Sequence, residues 1–544
     1  MKRIERLSQL PEAGVFDLAV MGGGATGLGV ALDAALRGHR VIVLESHDFA
    51  GGTSSRSTKL LHGGVRYLAQ GNVSLVREAL HERSAILRVA PHVAAPLPFV
   101  MPAYRWWQAP FYGLGLKMYD ALAGAAGLGP TRWLSKQDTR NSLPGVQASG
   151  LHAGVQYWDA QFDDARLAVA IARSAEAAGA WMFNHMAVTA ITPGEGDRPW
   201  RLQTRDATSG QCHEVHARCV VNAAGVWVDG VRAMANPRAK VAPMVSPSQG
   251  VHLVVDRSFM AGDNALLVPK TKDGRVLFAV PWMGALILGT TDTPRQDAPR
   301  EPQAFEDEVA FILREAAEVL SRAPTRADVR SIWVGLRPLV KPSGDQATQS
   351  ISREHTIEVS PQGLVTVTGG KWTTYRAMAA DVMAQIERAK LLPVRAAAAT
   401  ERHVLVGGGV PPSGPSAMTR APGLHLYGDR APEVLACPGA DRDLGCGLSE
   451  AMVRHAVRHE YAWTVEDVLA RRWRVLFVDA RQALAMAPEV AAIIAQETGA
   501  DPSLAAFETL CQQYVLSEAS PARSAAAAST PAAREGAKAA SAAH

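Results

Sequence analysis

Blocks of hydrophobic and polar residues at the start of the chain predict a strand, a helix and a second strand. Residues 16–21 form an apolar run, interrupted only by Asp17, that is typical of a buried strand, residues 25–37 have helical character, and residues 40–44 predict a second strand. Three glycines stand where the first strand would turn into the helix, in G-x-G-x-x-G spacing: Gly22, Gly24 and Gly27. This order predicts the opening unit of an α/β fold.

The spacing of these glycines also indicates what the turn could bind. Gly22 would make the tight turn, Gly24 would let the backbone approach a pyrophosphate, and Gly27 would let the helix pack closely on the strand. Glu45 ends the second strand, where its carboxylate can accept hydrogen bonds from ribose hydroxyls. We therefore predict a dinucleotide-binding unit. The alternative is a purely structural turn, because glycine turns are common.

The remaining pattern predicts a second sheet and a helical C-terminal region. Residues 163–179 show the pattern of an amphipathic helix, and residues 306–323 and 373–388 also predict helices. Between residues 249 and 291, short β-rich runs separated by turn residues predict a mostly antiparallel sheet beside the nucleotide unit. Residues 448–516 are rich in helical patterns and predict a small C-terminal domain.

Changes in composition suggest the domain boundaries. The tail is dominated by alanine and serine with almost no large apolar residues, so it cannot bury enough surface to become ordered. A stretch rich in Ala, Gly and Pro precedes the helical region and is typical of a linker. The predicted segments are an N-terminal extension (1–14), two interleaved domains (15–390), a linker (391–422), a helical domain (423–516) and a disordered tail (517–544).

Net charge and cysteine usage narrow the classes of partner. The chain has 56 basic and 52 acidic residues, a net charge of +4 that is too small to argue for nucleic acid, and we expect no nucleic-acid partner. The five cysteines contain neither a C-x-x-C pair nor a zinc-ligand spacing, so we expect reduced thiols in a cytosolic compartment and no metal site. We also expect no secretory signal and no membrane-spanning helix.

Two segments of small residues are candidates for further contacts with a dinucleotide. Residues 51–58 are rich in Gly, Ser and Thr, whose N–H and O–H groups could wrap a bound cofactor. Residues 220–225 form a short strand that ends in small residues, which permits close approach of a ligand. Taken alone, the first segment could equally be a flexible loop and the second a structural turn.

Six longer motifs together identify a family resemblance. They are, in chain order, TSSRSTKLLHGGVRYL (53–68), VNAAGVW (221–227), VPWMGALILGTTD (280–292), VGLRPL (334–339), SREH (352–355) and GGKWTTYR (369–376). With the glycine motif, they resemble the FAD-dependent (aerobic) glycerol-3-phosphate dehydrogenases over residues 16–516. The later segment HEYAWTVEDVLARRWR (459–474) resembles that family's C-terminal helical domain, but Trp463 and Trp473 stand where we would expect Arg and Thr, which puts the surface or partner contacts of that domain in doubt.

The resemblance implies a fold, a cofactor and a reaction. The fold is α/β, with a Rossmann-like FAD-binding domain of the glutathione-reductase type interleaved with a mostly antiparallel substrate-binding sheet, plus a small helical C-terminal domain. The cofactor is FAD. The reaction is oxidation of sn-glycerol 3-phosphate to dihydroxyacetone phosphate by hydride transfer from C2 to flavin N5, with electrons passed to membrane quinone.

The resemblance also implies which residues would contact FAD. Gly22, Gly24 and Gly27 would lie at the pyrophosphate and Glu45 at the ribose, and the helix beginning near residue 370 would stabilise negative charge on the reduced flavin. The expected contacts are, in chain order, Gly22, Gly24, Gly27, Glu45, Thr53, Ser54, Ser57, His62, Val188, Ala224, Gly225, Gly370, Lys371 and Thr373. For His62, support of the neighbouring loop remains an alternative.

A phosphorylated substrate requires fixed cations and a proton acceptor. Candidate phosphate ligands inside the family motifs are Arg66, Arg337, Arg353 and Lys371. The apolar or turn-forming neighbours of the three arginines suggest half-buried cations in need of an anion. Tyr67 would add a hydroxyl contact to the substrate. His252 is the candidate proton acceptor because imidazole titrates near neutral pH. A hydrogen-bonded core histidine is the alternative, and the sequence does not decide which group takes the proton.

An aromatic and basic cluster raises the question of membrane contact. Rings and cations of this kind suit the interface of an anionic membrane, although a core-facing aromatic stretch is the alternative. The family resemblance implies a cytoplasmic protein peripherally associated with the inner face of the cytoplasmic membrane, and it leaves open a homodimer. The cluster comprises Tyr104, Arg105, Trp106, Trp107, Phe111, Tyr112, Lys117, Tyr119, Arg132 and Trp133.

Three other functions compete with the quinone-linked dehydrogenase. A glycerol-3-phosphate oxidase would pass the electrons to oxygen, and the sequence separates it poorly from the dehydrogenase. A catalytically silent flavin-binding partner protein would have lost the phosphate-binding cations, which are present here. An amino-acid or amine oxidase of the same broad fold would bind a substrate with one carboxylate, which does not require this cluster of cations.

Overall fold

The computed structural model describes residues 2–64, 68, 72–194, 196, 198–238, 241–269, 271, 276–341, 355–397 and 399–517. Arg66, Tyr67 and Arg353 lie outside the described residues, as does the predicted tail beyond residue 517. The helices of the described part are α1 (Lys2–Gln9), α2 (Ala25–Leu36), α3 (Val73–Val89), α4 (Gln108–Ala123), α5 (Lys136–Ser142), α6 (Asp164–Ala177), α7 (Val228–Ala235), α8 (Glu306–Val319), α9 (Tyr375–Arg388), α10 (Ala431–Leu435), α11 (Glu450–His459), α12 (Val475–Val478), α13 (Ala480–Thr498) and α14 (Leu504–Tyr514).

The strands of the described part form two large sheets and one small hairpin. They are β1 (Val15–Met21), β2 (Val41–Leu44), β3 (Leu60–Leu61), β4 (Ala94–Ala103), β5 (Arg132–Ser135), β6 (Ala153–Phe162), β7 (Trp181–Phe183), β8 (Met186–Thr192), β9 (Trp200–Asp206), β10 (Cys212–Asn222), β11 (Val245–Asp256), β12 (Ala265–Val268), β13 (Leu277–Trp282), β14 (Ala285–Gly289), β15 (Thr293–Pro294), β16 (Ser331–Val340), β17 (His355–Val359), β18 (Leu364–Gly369), β19 (Asp443–Gly445) and β20 (Leu448–Ser449).

The first sheet carries the glycine motif near its centre. Its strands lie in the order β17, β18, β10, β1, β2 and β7, and β9 pairs with both β10 and β8. Strand β1 is parallel to β10 and to β2, so the carboxyl ends of these strands meet at one edge of the sheet. Helix α2 packs between α6 and α9 on one face, which explains why this alanine-rich helix is almost wholly buried. A ligand-binding crevice is expected at that edge.

The second sheet is mostly antiparallel. Its strands lie in the order β15, β11, β14, β13, β12, β4, β6 and β3, with β16 paired to β11 and β5 to β6. The one parallel pair among the described strands of this second sheet is β4 with β12. Strand β11 is buried on both faces because helix α8 covers one face of the sheet and the C-terminal domain covers the other. Both large sheets therefore contribute to one continuous body.

The C-terminal region is a helical unit built on the second sheet. Helices α10 to α14 and the β19–β20 hairpin enclose a core that is continuous with side chains of the sheet, including Trp333 and Ile287. Trp473 is buried and its indole Nε1 donates to the carbonyl of Cys446 at 3.0 Å. Trp473 therefore packs inside the domain and not on its surface. Trp463 is half-buried, with the Arg3 guanidinium 5.5 Å from its ring.

These two sheets and the helical C-terminal region confirm the predicted α/β fold class. Element ends differ for local reasons. The helix predicted at 306–323 ends at Val319, because Leu320 is extended and forms a bridge with Val146. The helix predicted at 373–388 begins with one 3₁₀ turn at Trp372–Thr374 before the α-helical part. All five cysteines are free thiols.

The aromatic and basic cluster forms an exposed face around helix α4. Trp106, Trp107, Phe111, Leu114 and Met118 point outward, with 80% of Trp106 and 67% of Phe111 exposed. The cluster predicted from sequence also holds a residue that does not belong to this face: Tyr119 is buried, and its hydroxyl donates to the carboxylate of Asp159 at 3.0 Å. None of the helices described here has both the length and the apolarity needed to cross a membrane.

Candidate active site

The glycine turn after β1 has the geometry that the sequence predicts. Gly22 has φ +110°, and a Cβ on it would lie 2.6 Å from the carbonyl oxygen of Ala223. A Cβ on Gly27 would overlap the carbonyl oxygen of Gly22, so this residue lets helix α2 touch the end of β1. Both positions therefore require glycine for backbone reasons. The predicted structural roles of these two glycines agree with this packing.

The N-terminus of helix α2 is open toward the crevice. Gly24 occupies the N-cap position of the helix with extended backbone. As a glycine, it has no side chain that could cap the helix. The Ser54 hydroxyl accepts from the backbone N–H of Ala25 at 2.9 Å, and Glu45 Oε2 accepts from the N–H of Gly23 at 2.6 Å. The remaining N–H groups of the first helical turn and the positive end of the helix dipole are suited to an anionic group such as a pyrophosphate.

The loop after Gly52 is fixed between the two sheets. The Thr53 hydroxyl donates to the carbonyl of Leu336 at 2.6 Å, and the indole of Trp372 donates to the carbonyl of Ser54 at 2.9 Å. Ser57 donates its hydroxyl to Asp164 Oδ2 at 2.7 Å. The loop is therefore held by side chains from three separate segments. The hydroxyls of Thr53 and Ser57 are both used within the protein, whereas the hydroxyl of Ser54 lies at the N-terminus of helix α2.

A cleft lies between this loop, strands β11 and β16, and the turn that follows β18. It encloses about 190 Å³. Its lining brings together groups from both sheets: the glycine turn at Gly369 and Gly370, a cation at Lys371, and polar side chains of the opposite sheet. The predicted site residues among those that line it are Thr53, Ser57, His62, His252, Arg337, Gly370, Lys371 and Thr373.

Arg337 lies on strand β16 with its guanidinium in this cleft. It donates to the carbonyl of Thr291 at 3.0 Å and to Asp292 Oδ1 at 3.2 Å. Gly250 on the neighbouring strand leaves room for it, because a Cβ there would overlap Nη2. Asp292 forms an ion pair with Arg337. The expectation that this cation lacks an anion in the protein is therefore wrong. Four-fifths of the side chain is buried, which leaves one edge for a ligand.

His252 lies on strand β11 at the floor of the cleft and is 2% exposed. The Thr58 hydroxyl and His252 Nε2 are hydrogen bonded at 2.9 Å, and the imidazole stacks on Trp333 with ring centroids 5.1 Å apart. Burial, reinforced by the positive charges of Lys59 and Arg337, lowers its pKa well below the usual 6.5. The imidazole is therefore neutral at pH 7. The expectation of titration near neutrality is wrong for the protein without substrate.

A buried ionic cluster lies directly behind the loop. Lys59 Nζ donates to Asp164 Oδ2 at 2.8 Å and to the carbonyl of Ser55 at 2.7 Å. From the C-terminal region, Arg474 donates to the same carbonyl at 2.7 Å and to Asp164 Oδ1 at 3.1 Å. Burial lowers the pKa of Lys59 to about 7, opposed by the charge of Asp164. The cluster joins the loop, helix α6 and the C-terminal region.

A second buried cluster has the composition of a metal site but is used for ion pairs. Asp48, His185 and Asp467 place one potential ligand atom each within 4.8 Å of the others. Asp48 accepts from Arg472 Nη2 at 2.8 Å, and Asp467 accepts from Arg471 Nη2 at 2.8 Å. These contacts neutralise the carboxylates with guanidinium groups. The cluster therefore ties the first sheet to the C-terminal region.

The predicted cofactor residues outside the cleft follow the edge of the first sheet. Gly225 has φ +59° three residues after the end of β10, and the backbone of Ala223 and Ala224 lies against Gly22. Val188 is half-buried in β8, opposite Thr204. Sequence reasoning missed the groups that support the cleft, because each depends on a partner distant in sequence. They are Thr58, Lys59, Asp164, Asp292, Trp333 and Arg474.

The fold and this site together define an oxidoreductase that binds a flavin dinucleotide. Residues 17–386 match the family model described as FAD dependent oxidoreductase, and residues 367–504 match that of the C-terminal domain of alpha-glycerophosphate oxidase. The chain belongs to the FAD-dependent glycerol-3-phosphate dehydrogenase family.

Relatives of known name cover most of the chain. Glycerol-3-phosphate dehydrogenase, mitochondrial, from Mus musculus is 39% identical over 528 residues, which cover 91% of this chain and 72% of the mouse protein. The corresponding protein of Arabidopsis thaliana is 39% identical over 529 residues, covering 90% of this chain and 84% of its own.

Solved structures agree with the fold. The glycerol-3-phosphate dehydrogenase from Bacillus halodurans, complexed with FAD, is 27% identical and superimposes with a TM-score of 0.73 over 94% of this chain and 98% of its own. L-alpha-glycerophosphate oxidase from Mycoplasma pneumoniae, at 17% identity and a TM-score of 0.52, covers 68% of this chain and 94% of its own, a likeness of fold alone.

Proposed function

We propose that this protein oxidises sn-glycerol 3-phosphate to dihydroxyacetone phosphate with FAD as its cofactor. The observation that carries the proposal is the cleft in which Arg337, Lys371 and His252 converge beside the open N-terminus of helix α2. Two cations suit a phosphate dianion, and the imidazole suits the neighbouring hydroxyl. Relatives named glycerol-3-phosphate dehydrogenase at up to 39% identity support the same substrate.

The glycine turn fits FAD by its backbone geometry. Gly22 and Gly27 cannot carry a Cβ in this packing, and the first turn of helix α2 after Gly24 offers N–H groups to a pyrophosphate. Glu45 stands at the end of β2, where a ribose would lie. When bound in this position, FAD supplies the oxidising centre that accepts the C2 hydride. The residues of the chain supply binding, orientation and proton transfer.

Arg337 and Lys371 are assigned to the substrate phosphate. The planar guanidinium can form two parallel hydrogen bonds to phosphate oxygens, and the lysine adds a flexible point charge. Thr291 and Asp292 hold the guanidinium from behind, so its orientation is fixed before the substrate arrives. Preorganised charge of this kind favours a dianion over a substrate with a single carboxylate. The arrangement therefore argues against an amino-acid or amine oxidase.

His252 is assigned as the acceptor of the hydroxyl proton. In the structure its pKa is low because it is buried and because Lys59 and Arg337 are positive. A substrate dianion brought next to Arg337 opposes that positive charge and raises the basicity of the imidazole. Binding of the substrate therefore prepares the base for the reaction. Phosphate recognition and proton acceptance are coupled through the same arginine.

We further propose that the electrons leave to a membrane quinone and that the protein lies on the inner face of the cytoplasmic membrane. The exposed aromatic side chains around α4, with Arg105, Lys117 and Arg132 also exposed, support this placement. Rings of this kind lie at the depth of lipid headgroups, and the cations meet anionic lipids. An oxidase remains the second candidate, because the C-terminal region matches a domain described for alpha-glycerophosphate oxidase.

An anaerobic titration of the purified yellow protein tests the proposed substrate. We expect sn-glycerol 3-phosphate to bleach the flavin band near ~450 nm, where oxidised flavin absorbs, while glycerol and an amino acid leave it unchanged. A flavin that stays oxidised with the phosphate ester would overturn the proposed function. Reoxidation of the bleached protein by a soluble quinone and by oxygen, in parallel, separates the dehydrogenase from the oxidase by rate.

A further inference from the structure

Thr58 is the polar residue that connects the imidazole of His252 with the cleft. Its side chain lines the cleft, and its hydroxyl is 2.9 Å from His252 Nε2. The other ring nitrogen, Nδ1, is buried, with no hydrogen-bond partner within the described ranges. Trp333 covers a face of the ring, and Gly289 lies against the Cδ2 edge. The hydrogen-bonded route from the cleft to the imidazole therefore passes through the threonine hydroxyl.

The loop that carries Thr58 is held more firmly than its small residues suggest. Lys59, which follows Thr58, has positive φ (+64°), and its ammonium group is buried between Asp164 and the carbonyl of Ser55. The carbonyl of Lys59 accepts from the N–H of Phe162 at 3.1 Å. Arg474 binds Ser55 and Asp164 from the opposite side. These contacts fix the backbone on both sides of Thr58.

We propose that Thr58 is a catalytic residue that relays the substrate hydroxyl proton to His252. The inference rests on the proposed function of the cleft. As the C2 hydride leaves, the substrate hydroxyl gives its proton to Thr58 Oγ1, and the threonine gives its own proton to His252 Nε2. One O–H bond breaks and one forms at the threonine, which ends neutral. The imidazole becomes imidazolium and the substrate becomes the ketone. The hydride, with its pair of electrons, passes to the cofactor.

A relay of this kind fits the chemistry of each group. A hydroxyl can accept one hydrogen bond while donating another, so a single side chain can serve both neighbours. Nε2 must be the unprotonated nitrogen to accept, which places the imidazole proton on Nδ1. Lys59, Arg337 and the bound phosphate set the charge around the imidazolium that results. The threonine itself needs no shifted pKa, because it is never ionised in a concerted transfer.

Two substitutions at one position separate the hydroxyl from the shape of the side chain. Thr58→Val keeps the branched shape and removes the hydroxyl, whereas Thr58→Ser keeps the hydroxyl and removes the methyl group. Thr189→Val, at an exposed threonine of strand β8, is the matched control. The measurements are the flavin content, the melting temperature, KM, and the rate of anaerobic flavin bleaching at saturating sn-glycerol 3-phosphate.

We expect Thr58→Val to keep its flavin and its KM within about threefold while the bleaching rate falls by at least about 10²-fold, as for loss of a general acid–base group. Thr58→Ser should stay within about fivefold of the wild type, with its pH profile unchanged. Equal losses in the two variants, or no loss in Thr58→Val, would reject the relay. Should the valine variant lose its flavin, Thr58→Ala repeats the comparison with a smaller side chain.

The wild-type protein distinguishes failure of the relay from failure of the proposed function. If sn-glycerol 3-phosphate does not bleach wild-type flavin, the proposed function and the relay both fall. If the wild type is bleached and Thr58→Val is bleached equally fast, the relay alone falls. In that second case the proton reaches its acceptor without Thr58, and the 2.9 Å contact serves only to orient the imidazole.

Discussion

Arg474 and Asp164 form a buried ion pair, 3.1 Å long, across the boundary between the C-terminal region and the cofactor domain. The side chains of both residues are fully buried, and they come from positions 310 residues apart. Asp164 also holds Lys59 and Ser57 of the loop beside the cleft. The C-terminal region therefore contributes directly to the support of the active site, through one arginine.

Removing this arginine should destabilise the protein and loosen the flavin. In Arg474→Gln, Asp164 would keep Lys59 but lose its second cation, and breaking a buried pair by loss of one partner costs about 3–5 kcal/mol. The carbonyl of Ser55 would also lose one donor. We expect a lower melting temperature and faster release of flavin on dilution, followed by fluorescence.

Arg481→Gln is the control for this prediction. Arg481 is exposed on helix α13, close in sequence to Arg474 and equal to it in charge. Its variant should melt and release flavin like the wild type. An Arg474→Gln protein that matched this control would mean that the buried pair adds nothing to the stability of the assembled domains.

A methyl group at Gly27 should abolish cofactor binding. The added Cβ would overlap the carbonyl oxygen of Gly22, which is backbone and cannot rotate away. Relief would require a shift of helix α2 away from β1, at the place where the pyrophosphate is expected. We expect Gly27→Ala to be purified with less than about a tenth of the wild-type flavin. The absorbance ratio of the flavin band to the protein band measures this directly.

Gly230→Ala provides the comparison for that substitution. Gly230 lies in helix α7, and a Cβ on it meets no atom within 4 Å among the described residues. Alanine is also the better helix former, so this variant should keep its flavin and be slightly more stable. If both alanine variants retained full flavin, the close packing of α2 on β1 would not be a requirement of the cofactor site.

Arg337→Lys should weaken substrate recognition while the flavin stays bound. Lysine keeps the charge but cannot contact Thr291, Asp292 and a phosphate at the same time with a planar fork. We expect kcat/KM for sn-glycerol 3-phosphate to fall about 10²-fold, which corresponds to about 2.7 kcal/mol. Arg201→Lys, at an exposed position of β9, should leave kcat/KM unchanged. A normal kcat/KM in Arg337→Lys would remove the guanidinium from the substrate site.

Local sequence predicted the geometry of the glycine turn better than the packing around the cleft. The glycine turn and Glu45 follow from contacts within one strand–helix–strand unit, so spacing alone was enough to place them. The low pKa of His252, the partner of Arg337 at Asp292 and the burial of Tyr119 depend on residues from other strands. Such long-range pairings leave no periodic signal in the sequence.

Acid should destabilise the protein in part through His92. Burial, together with the charge of Arg166, lowers the pKa of this histidine to about 3. Below pH 6.5 the unfolded chain therefore binds a proton that the folded protein does not. Stability is lost as the pH falls from 6.5, and the loss from this one group is about 2 kcal/mol by pH 5. It would continue to grow toward pH 3.

His92→Asn isolates that contribution. We expect the drop in melting temperature between pH 7.5 and pH 5 to be smaller in this variant than in the wild type, whatever its stability at pH 7.5. His152→Asn, at an exposed histidine, should reproduce the wild-type drop. If His92→Asn showed the wild-type drop as well, His92 would have to take up its proton in the folded protein.

The exposed face around α4 should bind anionic vesicles, and its two most exposed rings should carry much of the affinity. Trp106→Ser with Phe111→Ser removes aromatic surface worth about 1.5–3 kcal/mol for each ring that would enter the interface. We expect cosedimentation with vesicles of phosphatidylcholine and phosphatidylglycerol to weaken at least about tenfold, with anaerobic bleaching unchanged. The control is Val394→Ser with Leu435→Ser, two exposed apolar positions outside this face. Equal losses in both double variants would show that general surface hydrophobicity, and not this face, drives the binding.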